Sequence, residues 1–243
     1  MSQTVQDHFN KGIDFCKQNQ FKKAIEYFNL VLQEKPDHFD ALYNRAKAFF
    51  KLQSFENAIM DFNALVTLQP DNAFLLSERG VAFHLTGKND LALQDFDKAV
   101  ELEPNKPFRY SSRAFLKDRM GDLKGAIADY EKTIALDPED AIAYNNKGLV
   151  EEKLGYKTQS KQSFEKADTL DPAKQKTSKT TTPGPNRKKL ANNNLTKAAL
   201  SAENEEQEKV TLTGYLKLVG NLISSQQERS NFKRFIKGFL SKR

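Results

Sequence analysis

The sequence has few of the residues that catalytic and metal-binding sites require. Its single cysteine, Cys16, cannot form an intramolecular disulfide, so nothing indicates an oxidising compartment. The three histidines, His8, His38 and His84, have no ligand spacing to one another or to Cys16, which argues against a metal site. No glycine-rich phosphate loop, nucleophile elbow or paired-carboxylate pattern is present. We therefore expect no enzyme, no cofactor and no small-molecule substrate.

Long apolar runs are missing as well. No uninterrupted apolar stretch approaches the roughly 18 residues that a membrane-spanning helix needs. The first ten residues are polar and include Asp7, so they do not resemble a secretory signal. These features predict a soluble, cytoplasmic protein.

What the chain does contain is a strict internal repeat. Five prolines stand 34 residues apart without a slip: Pro36, Pro70, Pro104, Pro138 and Pro172. Self-similarity at such a period is typical of stacked repeats. Numbering slots 1 to 34 from Val5 divides residues 1–174 into five units: 5–38, 39–72, 73–106, 107–140 and 141–174.

Three further slots keep their residue type in every unit. Slot 8 is small: Gly12, Ala46, Gly80, Ala114 and Gly148. Slot 20 is small as well: Ala24, Ala58, Ala92, Ala126 and Ser160. Slot 24 is aromatic: Phe28, Phe62, Phe96, Tyr130 and Phe164. Each unit also has two apolar-periodic stretches around a short polar break, which predicts two antiparallel helices. The small residues let the helices cross closely beside the aromatic ring, and the proline ends the second helix.

This pattern resembles that of tetratricopeptide-repeat (TPR) proteins over residues 5–174. The resemblance implies an all-α fold, a right-handed solenoid of five helix-turn-helix repeats that serves as a protein-interaction scaffold. The family's usual aromatic at slot 4 is only partly present, and slot 11 changes from Phe to Lys117 and Glu151 in the last two repeats. We expect these departures to loosen the later repeats.

The resemblance also points to a concave groove formed by the first helices, where slots 2, 5, 9, 12 and 13 typically face a ligand. Nearly half of these positions are apolar or aromatic, so the groove suits an apolar peptide or an amphipathic helix of a partner protein. The alternative is that several of them pack between adjacent repeats. The candidate groove residues are Phe9, Ile13, Tyr43, Lys47, Phe50, Lys51, Phe74, Ser77, Val81, His84, Phe108, Ser111, Phe115, Arg119 and Asn145. The same slots also hold Ile142 in repeat five.

Two further expectations concern charged and reactive side chains. The many Asp and Glu of the repeats fall on helix faces that we predict to be exposed to solvent. Lys17 stands beside Cys16 and could lower the pKa of the Cys16 thiol. We favour the alternative that Cys16 is a small helix residue near the groove without a chemical role.

Positive charge is concentrated after the repeats. The chain has a formal net charge of +6, and residues 173–243 contain 15 of its 38 Lys and Arg but only 5 of its 32 Asp and Glu. Residues 175–208 are predicted to be a basic, flexible linker, because Lys, Thr, Pro and Asn dominate where it begins. A basic linker after acidic repeats favours attraction between the two parts or to a polyanion.

Residues 209–243 are predicted to form a basic amphipathic helical tail of two short helices. Its apolar stripe contains Leu212, Leu216, Val219, Phe232, Phe235, Ile236 and Phe239. Two roles stay open for it. The tail could dock in the groove of its own chain and gate that groove, or it could attach the array to an anionic membrane or a nucleic acid.

Overall fold

The computed structural model describes residues 3–170, which form ten α-helices in five antiparallel pairs and contain no strand. The first helices of the repeats are α1 Gln3–Lys17, α3 Phe39–Lys51, α5 Ala73–Leu85, α7 Pro107–Met120 and α9 Ala141–Lys153. The second helices are α2 Phe21–Glu34, α4 Phe55–Leu68, α6 Asn89–Leu102, α8 Leu123–Leu136 and α10 Lys157–Leu170. The predicted all-α repeat fold is confirmed. The predicted linker, the predicted tail and the tail's stripe residues lie outside the described residues.

Within a repeat, the two helices cross where a small residue meets an aromatic ring. The side chain at slot 20 is buried in all five repeats and that at slot 24 in the first four, as at Ala92 and Phe96, whereas Phe164 is half-buried. A Cβ atom added at Gly12 would lie 2.5 Å from Cε1 of Phe28, and one at Gly80 would lie 3.0 Å from Cε1 of Phe96. The ring therefore packs directly onto the first helix, as the slot pattern predicts.

Neighbouring repeats stack because each second helix packs against the first helix of the next repeat. Around α5, Val66 from the preceding repeat and Leu102 pack on a cluster of Ala73, Leu76 and Ala99. First helices also touch one another, at α1 with α3, α5 with α7 and α7 with α9. Together they present one surface, which we call the first-helix face.

The turn inside each repeat has the same left-handed residue at slot 15. The φ angle is 57° at Asn19, 56° at Gln53, 77° at Gly87, 87° at Gly121 and 79° at Gly155. Glycine adopts this region without a steric penalty and asparagine tolerates it, whereas a longer side chain does so at a cost. Gln53 is therefore the strained member of the series.

Slot 34 begins the first helix of the following repeat. Side chains of His38, Asn72 and Asp140 accept hydrogen bonds from amides in the first turn of α3, α5 and α9. These bonds satisfy amides that have no partner within the helix. Before α7, Lys106 supplies no such bond, but Pro107 at the first helical position has no amide to satisfy. The buried His38 is thus a capping residue.

Arginines at slot 7 hold three helices together. Nε and Nη2 of Arg79 in α5 donate to the two carboxylate oxygens of Asp95 in α6 at 2.8 and 2.7 Å. Its Nη1 donates to Oδ1 of Asn63 in α4, one repeat earlier, at 3.1 Å. Each such arginine therefore joins both helices of its own repeat to the second helix before it.

The same arrangement, which we call the arginine ladder, recurs one repeat to either side. Arg45 bonds Asp61 and Asn29, and Arg113 bonds Asp129 and Asp97. The carboxylates in this ladder are buried: Asp61, Asp95 and Asp129 are 3–5 % exposed. Our expectation that the acidic residues face solvent is wrong for these three. Their burial is compensated because each carboxylate receives two charge-assisted hydrogen bonds.

The charged residues at slot 11 of the last two repeats have partners of their own. Nζ of Lys117 lies 2.9 Å from Oδ2 of Asp129. The buried Glu151 accepts a hydrogen bond from Oγ of Ser163 at 2.7 Å and pairs with Lys147 at 3.5 Å. These contacts satisfy the charged side chains at slot 11, and the expected loosening of the later repeats stays a prediction.

Candidate peptide-binding surface

Three apolar side chains are exposed at slot 2 of successive repeats. Phe74 is 37 % exposed, Phe108 is 45 % exposed and Ile142 is 54 % exposed. Each is the second residue of its first helix, so they recur one repeat apart along one edge of the first-helix face. We call these three residues the apolar stripe. Aligned, exposed apolar side chains commonly mark an interaction site.

Repeats one and two have a polar residue at slot 2 and contribute no side chain to the stripe from that slot. The half-buried Tyr43 extends the stripe, since its ring centroid lies 5.8 Å from that of Phe74. Slot 2 of repeat two is the exposed Asp40, so the series of apolar side chains at slot 2 begins only at Phe74. In repeat one, Phe9 stacks on the ring of His38 at 5.4 Å. Phe9 thus packs against the residue that caps α3, the first helix of repeat two.

Two candidate groove residues are buried, and their assignment is corrected. Phe50 is 2 % exposed, and its ring packs edge-on against Phe55 and Phe62 at 5.4 and 5.8 Å. Ser77 is 5 % exposed and accepts a hydrogen bond from Nη1 of Arg109 at 2.9 Å. Neither side chain is accessible to a ligand. Packing within and between repeats, the alternative kept above, applies to both.

Aromatic and basic candidates cluster at the other end of the first helices. The rings of His84 and Phe115 meet edge to face at 5.9 Å. The guanidinium of Arg119 lies 5.0 Å from the centroid of Phe115. Nδ1 of His84 is 2.8 Å from Oδ1 of Asn89. The structure brings these candidates together as one cluster between repeats three and four.

Ion pairs connect neighbouring first helices across the face. Nζ of Lys47 lies 2.8 Å from Oε2 of Glu78, and Nζ of Lys153 lies 2.5 Å from Oδ1 of Asp118. Lys47, a candidate ligand contact, is therefore already paired. The remaining candidates are half-buried: Ile13, Lys51, Val81, Ser111 and Asn145.

Cys16 is not activated for chemistry. Burial raises the pKa of the Cys16 thiol to about 11, so the thiol stays protonated at neutral pH. Nζ of Lys17 instead lies 2.9 Å from Oδ1 of Asp14. Within residues 3–170, no group of three or more His, Cys, Asp or Glu side chains is placed to hold a metal ion. None of the helices in that range has the length and apolar character needed to cross a membrane.

Sequence reasoning found part of the apolar stripe. Phe74 and Phe108 are among the predicted candidates, whereas Ile142, the most exposed of the three, was placed at a groove slot but not chosen as a candidate. A signal was available, because slot 2 is apolar in three consecutive repeats and polar at Gln6 and Asp40. Treating the five groove slots as equivalent obscured it.

Comparison with known proteins identifies the repeat. A tetratricopeptide repeat model matches residues 9–73, another matches 75–106 and 141–174, and a TPR repeat model matches 119–155. The chain belongs to the TPR family. No curated protein matches it. TPR arrays are non-catalytic protein-interaction modules, and membership of the family supports a role as a protein-interaction scaffold.

Solved structures resemble this chain over about two thirds to three quarters of its length. A crystal structure of MamA has a TM-score of 0.67 at 24 % identity, covering 75 % of this chain and 100 % of that one. MamA 41-end from Desulfovibrio magneticus RS-1 has a TM-score of 0.63 at 17 % identity, covering 74 % and 99 %. YrrB, described as a TPR protein with an unusual peptide-binding site, has 0.58 at 19 %, covering 68 % and 85 %. At these identities the likeness shows the fold.

Proposed function

We propose that this TPR array is a scaffold that binds an apolar peptide or an amphipathic helix on its first-helix face. The apolar stripe carries the proposal. Burying a fully exposed side chain of this size is worth about 1.5–3 kcal/mol. Covering three partly exposed ones therefore stabilises a complex, although ordering the ligand offsets part of the gain.

The second helices offer no comparable surface among the described residues. Their large exposed apolar side chains, Leu30, Met60, Leu68 and Leu91, occupy slots 26, 22, 30 and 19, so they do not align from repeat to repeat. The stripe residues share one slot and one helix position. An extended or helical ligand running across successive repeats can therefore contact all three at once.

A peptide selection with matched variants tests the proposal. Random 12-residue peptides on phage are selected on the immobilised full chain and measured by fluorescence anisotropy. The stripe variant combines Phe74→Ser, Phe108→Ser and Ile142→Ser. The control variant combines Leu30→Ser, Met60→Ser and Leu91→Ser, which changes equally exposed residues on second helices.

We expect apolar peptides that lose at least tenfold in affinity for the stripe variant and keep their affinity for the control. Circular dichroism checks that both variants keep their helical content. Peptides that bind the wild type and the stripe variant equally would place the binding surface elsewhere.

We also propose that the chain's own tail, residues 209–243, competes for this face. The support comes from the sequence: Phe235 and Phe239 are four residues apart among basic residues, and the repeats are acidic by comparison. A tethered segment reaches an effective concentration near the millimolar range, so weak docking is substantially populated. A full chain with Phe235→Ala and Phe239→Ala should bind a selected peptide several-fold more tightly. An unchanged affinity contradicts the gate and leaves the scaffold proposal intact.

A further inference from the structure

Acidic side chains accompany the apolar stripe along the same edge of the first-helix face. Slot 33 lies in the turn before each first helix, three residues ahead of slot 2, and is exposed in all four turns. It is acidic at Asp37, Asp71 and Glu139 and neutral at Asn105. Asp71 thus precedes Phe74, and Glu139 precedes Ile142. In repeat two the exposed Asp40 takes the stripe position itself.

These carboxylates differ from the other acidic groups nearby. Glu103 accepts a hydrogen bond from Nε of Arg109 at 2.7 Å, and Oδ1 of Asp140 accepts hydrogen bonds from two backbone amides at 2.9 Å. By contrast, the side chains of Asp37, Asp40, Asp71 and Glu139 make no ion pair with any residue in 3–170. Their negative charge is therefore open to a ligand.

The opposite end of the first helices has basic residues at slot 13 in four of the five repeats: Lys17, Lys51, Arg119 and Lys153. Two of them are paired with carboxylates at that same end, Lys17 with Asp14 and Lys153 with Asp118. The negative charge of the acidic turns, which has no ion pair within residues 3–170, therefore lies at the stripe end of the first-helix face. A ligand that covers the stripe lies beside the acidic edge.

We propose that the ligand of this face is a basic amphipathic helix, whose apolar side chains cover the stripe and whose Lys and Arg side chains face the acidic turns. This inference rests on the proposed function and specifies its partner class. Complementary charges at an interface rim set specificity and association rate, and salt weakens them. The chain as a whole has a net charge of +6, so a general attraction would favour acidic ligands instead.

Three synthetic helical peptides separate charge from apolar contact. All three carry the same Leu and Phe residues at i, i+3, i+4 and i+7 spacing, and their polar positions are all Lys, all Glu or all Gln. Binding to the full chain is measured by fluorescence anisotropy at low and at moderate salt. A further peptide with the sequence of residues 229–243, which has Phe232, Phe235 and Phe239 among basic residues, serves as a natural basic probe.

The Lys peptide and the 229–243 peptide should bind at least tenfold more tightly than the Glu peptide at low salt. This difference in affinity, the affinity gap, should narrow as salt rises. A variant of the acidic turns with Asp37→Asn, Asp40→Asn, Asp71→Asn and Glu139→Gln should lose most of the gap. The control variant has Glu26→Gln, Asp90→Asn, Glu101→Gln and Glu165→Gln, which removes the same charge from exposed positions on second helices. It should keep the gap.

The stripe variant separates failure of this inference from failure of the proposed function. Binding that survives Phe74→Ser, Phe108→Ser and Ile142→Ser is not at the stripe and is subtracted for every peptide. If the Glu and Lys peptides then bind equally, or the Glu peptide binds more tightly, the basic ligand is wrong while the site stands. If no peptide depends on the stripe, the proposed function itself is overturned.

Discussion

Arg79 holds Asp95 with two parallel hydrogen bonds, from Nε at 2.8 Å and from Nη2 at 2.7 Å, while its third nitrogen reaches Asn63 in the preceding repeat. One guanidinium thus ties three helices together. Repeat arrays are held by contacts between neighbours. The arginine ladder therefore contributes to the coupling of repeats as well as to the stability of each one.

Replacing Asp95 with alanine should lower the free energy of unfolding by about 3 kcal/mol, because the largely buried Arg79 loses its two carboxylate acceptors and keeps only Asn63. Urea denaturation followed by circular dichroism measures the loss. The control is Glu56→Gln, which breaks the exposed pair with Lys88 at 2.7 Å and should cost less than about 1 kcal/mol. Equal losses in the two variants would contradict a special role for the ladder.

Gln53→Gly should raise the free energy of unfolding by about 0.5–1 kcal/mol, because glycine relieves the left-handed backbone at φ 56°. Gly87→Gln makes the reverse change at the same slot, where φ is 77°, and should lower stability by a similar amount. Both are measured by urea denaturation. A destabilising Gln53→Gly would show that the glutamine side chain stabilises its turn.

Ala92→Phe should lower the free energy of unfolding by about 1–3 kcal/mol or more, because Ala92 is fully buried at the helix crossing of repeat three. Its neighbour Leu91 is exposed, so Leu91→Phe is a matched control and should leave the melting curve in place. Thermal melting followed by circular dichroism compares the two. An unchanged melt for Ala92→Phe would mean that slot 20 does not lie at the crossing.

Cys16 should resist alkylation in the folded protein. Burial raises the pKa of its thiol to about 11, whereas an exposed cysteine in the unfolded chain has a pKa of about 8.5. Iodoacetamide attacks the thiolate, so at pH 8 the folded chain should react roughly 100-fold more slowly than the denatured chain. The folded rate should also keep rising above pH 9, where the denatured rate levels off. Equal rates at pH 8 would contradict the raised pKa.

The repeat fold could be predicted because its signals are local and recur every 34 residues. Pro70 ends a helix whatever surrounds it, and Ala58 with Phe62 marks a helix crossing by size and shape alone. The arginine ladder, of which Arg79 and Asp95 form one rung, recurs at the same period, yet the sequence pattern did not lead us to predict it. A helix-face argument assigns charged residues to solvent, and only the stacking of three helices shows that these two meet in the interior.

The binding surface was harder to predict for a related reason. Phe50 and Phe74 are both aromatic residues at groove slots, but Phe50 packs inward against Phe55 and Phe62 while Phe74 remains exposed. Exposure at such a position depends on side chains contributed by other helices. Periodicity within one helix carries no information about them.

If the apolar stripe is the binding surface, a bound peptide must change the rings of Phe74 and Phe108. NMR of the full chain labelled with ¹³C only in phenylalanine rings follows both residues during titration with a selected peptide. The signals of Phe74 and Phe108 should shift or broaden, while those of the buried Phe28, Phe62 and Phe96 stay in place. Saturating peptide that leaves Phe74 and Phe108 unchanged would contradict binding at the stripe.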